Sequence, residues 1–144
     1  GERRIEAQRV IWPRPGQVAI ETFRCPPPED HQVLIEAETS LISPGTERAF
    51  FLARPNTRLD FPAPAVGYSH LGRILAKGAA ITGFAIGDRV ATNARHVSHT
   101  LRSADRLVRV PAGLPNDQAV FFNLSLEQRK NKNLLAHTGS ALDF

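Results

Sequence analysis

Apolar and polar residues alternate along this chain in runs of mostly five to ten residues, with glycine and proline between the runs. That is the pattern of short strands. The clearest run is Gln32–Ile42, which places Val33, Ile35, Ala37, Thr39 and Leu41 on one face and Gln32, Glu36, Glu38 and Ser40 mostly on the other. A strand with that alternation faces a core on its apolar side. Residues 17–23 read as another strand with Val18, Ile20 and Thr22 on one face, and 71–76, 88–92, 97–101 and 106–110 as further short β-branched pieces. Pro13, Pro15-Gly16, Pro26-Pro27-Pro28, Pro44-Gly45, Gly87 and Pro111 are among the breaks. Many short strands between frequent turns predict a mainly β fold, a sandwich or small barrel.

Two segments read as helical. Residues 47–53 carry Phe50 and Phe51 as apolar payload and must stop before Pro55. A second helix is capped near Asn116-Asp117 and leads into Ala119, Val120, Phe121 and Phe122. Beyond Leu124 the polar run SLEQRKNKN begins, with Leu126 its single apolar residue, so 125–144 is expected to be a helical extension or a loose tail.

At 144 residues, 42% hydrophobic and 22% charged, the chain fits one globular domain. Its net charge of +4 is spread from Arg3 to Lys132 without a dense block, which argues against a nucleic-acid partner. A single cysteine, Cys25, forbids an internal disulfide. No apolar run reaches the roughly 18 residues of a membrane span, and Gly1 to Glu6 lack the apolar stretch of a secretory signal. The expected address is the cytoplasm, with no membrane partner.

The most regular local signal is Gly83-Phe84-Ala85-Ile86-Gly87-Asp88-Arg89-Val90, a tight turn feeding a strand. Glycine supplies positive φ there, and the aspartate can bond the backbone two residues on. Taken with Ile42-Ser43-Pro44-Gly45-Thr46-Glu47, Gly67-Tyr68-Ser69-His70-Leu71-Gly72-Arg73, Lys77-Gly78 and Arg109-Val110-Pro111-Ala112-Gly113-Leu114, the chain resembles the N-terminal catalytic domain of the medium-chain dehydrogenase/reductase family. Order and spacing agree from about Val10 to Leu124. The resemblance is strongest to zinc-independent members, such as those related to bacteriochlorophyllide dehydrogenases. It implies a GroES-like, partly open β-barrel over 1–124, with 125–144 outside the family pattern.

The departures bear on chemistry. Where zinc-dependent members carry a cysteine and the His-Glu pair of Gly-His-Glu, this chain has Pro44, Tyr68 and Ser69. Proline has no side-chain donor and tyrosine is a poor zinc ligand, so no metal is expected. The structural zinc lobe of such enzymes needs four cysteines, and Cys25 stands alone. His96 and His99 are three apart, which in a strand puts them on opposite faces, so they read as structural or surface histidines.

The resemblance puts Thr46 at the position of the hydroxyl residue that relays the substrate proton, and Tyr68 where the missing metal ligand would have faced the nicotinamide. A phenol and a hydroxyl can orient a carbonyl oxygen and donate to it. Both are therefore vestigial catalytic candidates, with Ser43, Glu47, Phe50, Ser69 and His70 as substrate-binding candidates. Thr46 with Glu47 equally suits a helix cap, Tyr68 a packed aromatic, and His70 a place in the core.

No Gly-x-Gly-x-x-Gly turn occurs in the chain. Full-length relatives hold NAD(P) with that turn, so no cofactor is expected on this chain alone. The expectation is a truncated substrate domain without oxidoreductase activity of its own. Two alternatives stand beside it. One is a stand-alone module for a small apolar or carbonyl ligand, or an oligomeric interaction protein; the other is an oxidoreductase completed by a cofactor domain in trans. Apolar surface left uncovered by an absent second domain further predicts a homodimer or higher oligomer, with 119–122 or the tail at the contact.

Overall fold

The computed structural model describes residues 4–42, 44–55, 57–63, 66–67, 69–119 and 140–143. In chain order it runs β1 (Ile5–Ile11), β2 (Ala19–Cys25), β3 (Gln32–Ile42), α1 (Pro44–Phe51), β4 (His70–Lys77), β5 (Arg89–Thr92), β6 (His99–Ser103), a 3-10 turn, β7 (Leu107–Arg109), α2 (Asn116–Ala119) and β8 (Ser140–Asp143). All the ladders are antiparallel. β1 and β2 form a separate pair, and the larger sheet is ordered β6-β3-β4-β5-β7, with β8 joining β3. Among the described residues its end strands β6 and β7 share no ladder, so the barrel is partly open, as the resemblance implies.

β3 organises the molecule. It pairs with β4 along one edge, and along the other with β6 from Gln32 to Glu36 and with β8 from Thr39 to Ile42. Its boundaries match those read from the sequence, but it is buried on both faces rather than on one. Register shifts at Leu34/Ile35 and Ala37/Thr39 interrupt the ladder with β4. Val33, Leu34 and Ile35 are all buried, as are Thr39, Ser40 and Leu41. The strand is covered on both faces: Leu34 packs with Ala7 and Cys25 of the small sheet, while Val33 and Ile35 pack with Ile74, Ile81 and Val90 inside the barrel. Each such side chain contributes about 1.5–3 kcal/mol by leaving water.

Several expectations need correction. Val18 and Ile20 are 63% and 61% exposed, and β2 turns Phe23 and Cys25, on its other face, inward. α1 spans Pro44–Phe51 rather than 47–53, and the chain turns at Ala53, whose φ of 51° lies in the left-handed region. β6 starts at His99, two residues later than predicted. Asp88 bonds backward, its Oδ2 accepting from the Ala85 N–H at 2.9 Å, while Gly87 takes the expected positive φ of 92°. The expected helical or loose tail ends in a strand, because residues 140–143 complete the edge of β3 that β6 leaves uncovered. Ala119, expected at an oligomer contact, is fully buried against Leu41, Leu71, Ala91 and Val110. Residues 120–122, the rest of that contact, and 125–139 lie outside the described residues.

Among the described residues, no helix is long and apolar enough to cross a membrane. Arg89, buried in β5, fastens the segment after β7: Nη1 donates to the carbonyls of Pro111 and Leu114, and Nη2 donates to Asn116 Oδ1 at 2.5 Å.

Candidate functional site

α1 follows β3 directly and packs Phe50 and Phe51 against Trp12, Ala63 and Val66. The Trp12 and Phe51 rings lie 5.1 Å apart, tilted by 55°. Trp12 is fixed by two backbone bonds to Ala63, and Gly16 N–H donates to the Phe51 carbonyl, so the chain leaving β1 is tied to the far end of α1. Across from this helix lies His96. Its N–H donates to the Val66 carbonyl at 2.6 Å and its carbonyl accepts from Val10 N–H at 2.9 Å, which pins its backbone on both sides.

The His96 ring joins three elements. Nε2 lies 2.7 Å from Glu47 Oε1 on α1, and Nδ1 lies 2.5 Å from Ser40 Oγ on β3. With an ionised Glu47 the Nε2–H donates to the carboxylate and Nδ1 accepts from the serine hydroxyl. Ser40, Glu47 and His96 are 0%, 7% and 3% exposed. A carboxyl group taken this far out of water needs hydrogen-bond partners, and the imidazole is one of them. Gly67 closes one side: a Cβ there would lie 2.6 Å from ring atoms of His96, and its φ of 96° suits glycine.

Two clefts flank the Glu47 side chain. The larger, about 470 Å³, has apolar walls that include Val10, Trp12, Ile20, Ile42 and Phe51, with Glu47 and His96 at its buried end and Arg48 beside them. The smaller, about 210 Å³, is bounded by Trp12, Thr46, Glu47, Phe50 and Gly67, with Arg95 among its polar groups. Trp12, the single tryptophan, lines both. An apolar cavity with a few convergent polar groups is the common form of a small-molecule site.

Of the residues singled out from the sequence, Thr46, Glu47 and Phe50 come together around the smaller cleft. Ser43 and Tyr68 lie outside the described residues. Ser69 and His70 are fully buried and line neither cleft. His70 Nε2 lies 3.0 Å from the Val97 carbonyl, which can only accept, so Nε2 carries the proton. Nδ1 is buried without a hydrogen-bond partner. Burial above all, helped by the charges of His96, Arg102 and His99 and opposed by the bond to Val97, lowers the His70 pKa to about 4. His70 is therefore a neutral core residue. His96, read as structural from its spacing, is the histidine that reaches the cleft; its partners stand 49 and 56 residues away in sequence, so no local signal marks it.

Among the described residues, the donors of a family-type zinc site do not come together. Pro44 offers no side-chain donor, and the described residues contain no group of three or more His, Cys, Asp or Glu able to hold a metal. The Glu47–His96 pair has a serine as its third member, and Cys25 is buried beside Ala7 and Leu34, where desolvation raises the thiol pKa.

The fold is that of a GroES-like barrel domain found in dehydrogenases and reductases. It superposes on the CurF ER cyclopropanase of the curacin A biosynthetic pathway with a TM-score of 0.71, at 16% identity, over 79% of this chain and 38% of that one. A Sinorhizobium meliloti protein assigned as a zinc-binding dehydrogenase and solved with NADP bound gives a TM-score of 0.65, at 17% identity, over 81% of this chain and 42% of that one. In sequence, an L-threonine 3-dehydrogenase of Stenotrophomonas maltophilia is 33% identical over 87 residues, 60% of this chain and 23% of the enzyme. No family model matches the chain. Fold and sequence together relate it to the N-terminal domain of the medium-chain dehydrogenase/reductase family. It spans less than half the length of each of these relatives.

Proposed function

We propose that the chain acts as the substrate-binding domain of a zinc-independent medium-chain dehydrogenase/reductase, holding a small apolar carbonyl compound in the cleft between Trp12 and α1. The observation that carries this reading is the larger cleft itself, apolar on its walls with the Glu47–His96 pair at its buried end. The walls bind the carbon skeleton by excluding water, and Arg48, which lines the same cleft, offers the donor that orients the carbonyl oxygen. Thr46, on the other side of Glu47, offers a hydroxyl donor to a ligand that extends into the smaller cleft.

In this reading hydride transfer belongs to a nicotinamide held by a separate cofactor domain, and the 144-residue chain alone does not consume NADPH or NADH. The NADP bound to the Sinorhizobium relative supports the cofactor class. Trp12 is a built-in reporter for the test: 1-tetralone added to the purified chain should change its emission saturably, while NADPH in the same sample stays unoxidised. An emission that responds only linearly, or steady NADPH consumption, would refute the proposal.

A homodimer is a second proposal, favoured by the exposed Leu75 and Ile86, which line neither cleft. Light scattering at tens of micromolar protein should return a dimer mass, and a monomer would exclude it.

A further inference from the structure

The chain Ser40–His96–Glu47 has the chemical order of a nucleophilic triad, but its geometry is that of something else. In a hydrolase the hydroxyl faces the substrate and the carboxylate lies behind the imidazole. Here Ser40 is fully buried on β3 and lines neither cleft, whereas Glu47 lines both. The chain is turned round, with its carboxylate end at the ligand and its hydroxyl end in the core.

We propose that Glu47 is a general base that removes a proton from the carbon next to a carbonyl held in the larger cleft, with His96 and Ser40 as positioning residues. The proposal rests on the reading of that cleft as a carbonyl-binding site and adds a reaction to it that needs no nicotinamide. The C–H bond breaks, its proton passes to a Glu47 oxygen, and its electron pair moves onto the carbonyl oxygen as an enolate. Arg48, on the wall of the same cleft, supplies positive charge for that oxygen. Return of a solvent-derived proton from Glu47 to carbon regenerates the ketone. In heavy water the balance is one C–H and one D₂O giving one C–D and one HDO, with nothing oxidised or reduced.

Three features support a base rather than a buried structural ion pair. The Glu47 side chain is only 8% exposed yet lines both clefts, so a ligand displaces little water to reach it. His96 holds it at 2.7 Å through a ring fixed by Ser40 on one nitrogen and hemmed in by Gly67. Glu47 also lines the smaller cleft, so the protonated carboxylic acid can exchange with water there while the ligand sits in the larger one.

The test is proton exchange. The full 144-residue chain is incubated in D₂O with 1-tetralone and no cofactor, and the methylene signal beside the carbonyl is followed by proton NMR. The expected result is exchange faster than in buffer alone. Glu47→Gln, compared at 1-tetralone concentrations that saturate each protein's own Trp12 emission change, should lose about 100-fold of that acceleration. His96→Gln should slow exchange by about tenfold and change its pH dependence, which a purely structural role would not alter. Naphthalene, which fits the apolar walls and has no carbonyl, should suppress exchange in the unaltered chain, a result independent of how any variant folds. Exchange at the buffer rate with saturable Trp12 quenching would overturn the base and leave the binding reading standing. Exchange that survives Glu47→Gln, or that naphthalene leaves untouched, would also overturn it. No saturable quenching together with no exchange would sink both.

Discussion

Because His70 is buried as a neutral ring, the stability of this domain should carry a specific pH signature. In the unfolded chain the imidazole titrates near its ordinary 6.5, while in the folded chain burial lowers that to about 4. Between those values the unfolded state binds a proton that the folded state does not, so acid favours unfolding. The stability is fully present above the unfolded pKa, falls as the pH drops through that window, and is lost near the folded pKa. A difference of about 2.5 units at 1.36 kcal/mol per unit gives about 3 kcal/mol, a large fraction of a domain's usual 5–15 kcal/mol. The perturbation is His70→Gln, whose amide can still donate to the Val97 carbonyl but does not titrate. Urea unfolding followed by Trp12 emission, repeated from about pH 7.5 to about pH 4.5, gives both stability curves. Carboxylates and the other histidines titrate in both proteins and cancel in the difference. Because that range stops short of the folded pKa, the wild-type curve should fall by about 2.5 kcal/mol more than the variant's across it. Parallel curves would show that His70 is not held neutral and would refute the reasoning.

Other consequences follow from close contacts. Gly67→Ala places a Cβ 2.6 Å from the His96 ring at a φ of 96°, so it should cost about 2–3 kcal/mol in urea unfolding and abolish 1-tetralone quenching by displacing His96. Gly72→Ala drives a Cβ to 2.4 Å from the Glu36 carbonyl oxygen in the β3–β4 ladder, and about 3 kcal/mol of stability should be lost, seen as a lowered melting temperature. Arg89→Lys keeps the charge but cannot serve the Pro111 and Leu114 carbonyls and Asn116 together. It should cost about 2 kcal/mol, and amide exchange should show the 111–116 segment opening first.

Much of the barrel was legible because strands announce themselves locally. β3 has the boundaries its alternation predicts, and the Gly87-Asp88 turn forms where the sequence places it, with Gly87 at positive φ. The faces were less legible. β3 is covered on both faces, so Leu34 packs under the small sheet and Ser40 meets His96 on the side assigned to polar residues, while Val18 and Ile20 are exposed. α1 carries Thr46, Glu47 and Phe50 to one cleft, so a local segment gave part of the site. The rest depends on topology: Trp12 from the end of β1, His96 from the loop before β6, and Ser40 from the middle of the core. No motif records that these meet. The strand at residues 140–143 was hidden for a related reason, since its pairing depends on the stretch of β3 edge that β6 leaves uncovered rather than on its own composition.

The central claim is that a cleft against Trp12, ending at Glu47 and His96, binds an apolar carbonyl compound. Titrating 1-tetralone into the 144-residue chain while recording Trp12 emission, with Trp12→Phe tested by isothermal calorimetry, addresses it most directly. The account predicts a saturable emission change in the unaltered chain and a calorimetric isotherm of one site that persists, weakened, in Trp12→Phe. Linear emission with no heat of binding would contradict it.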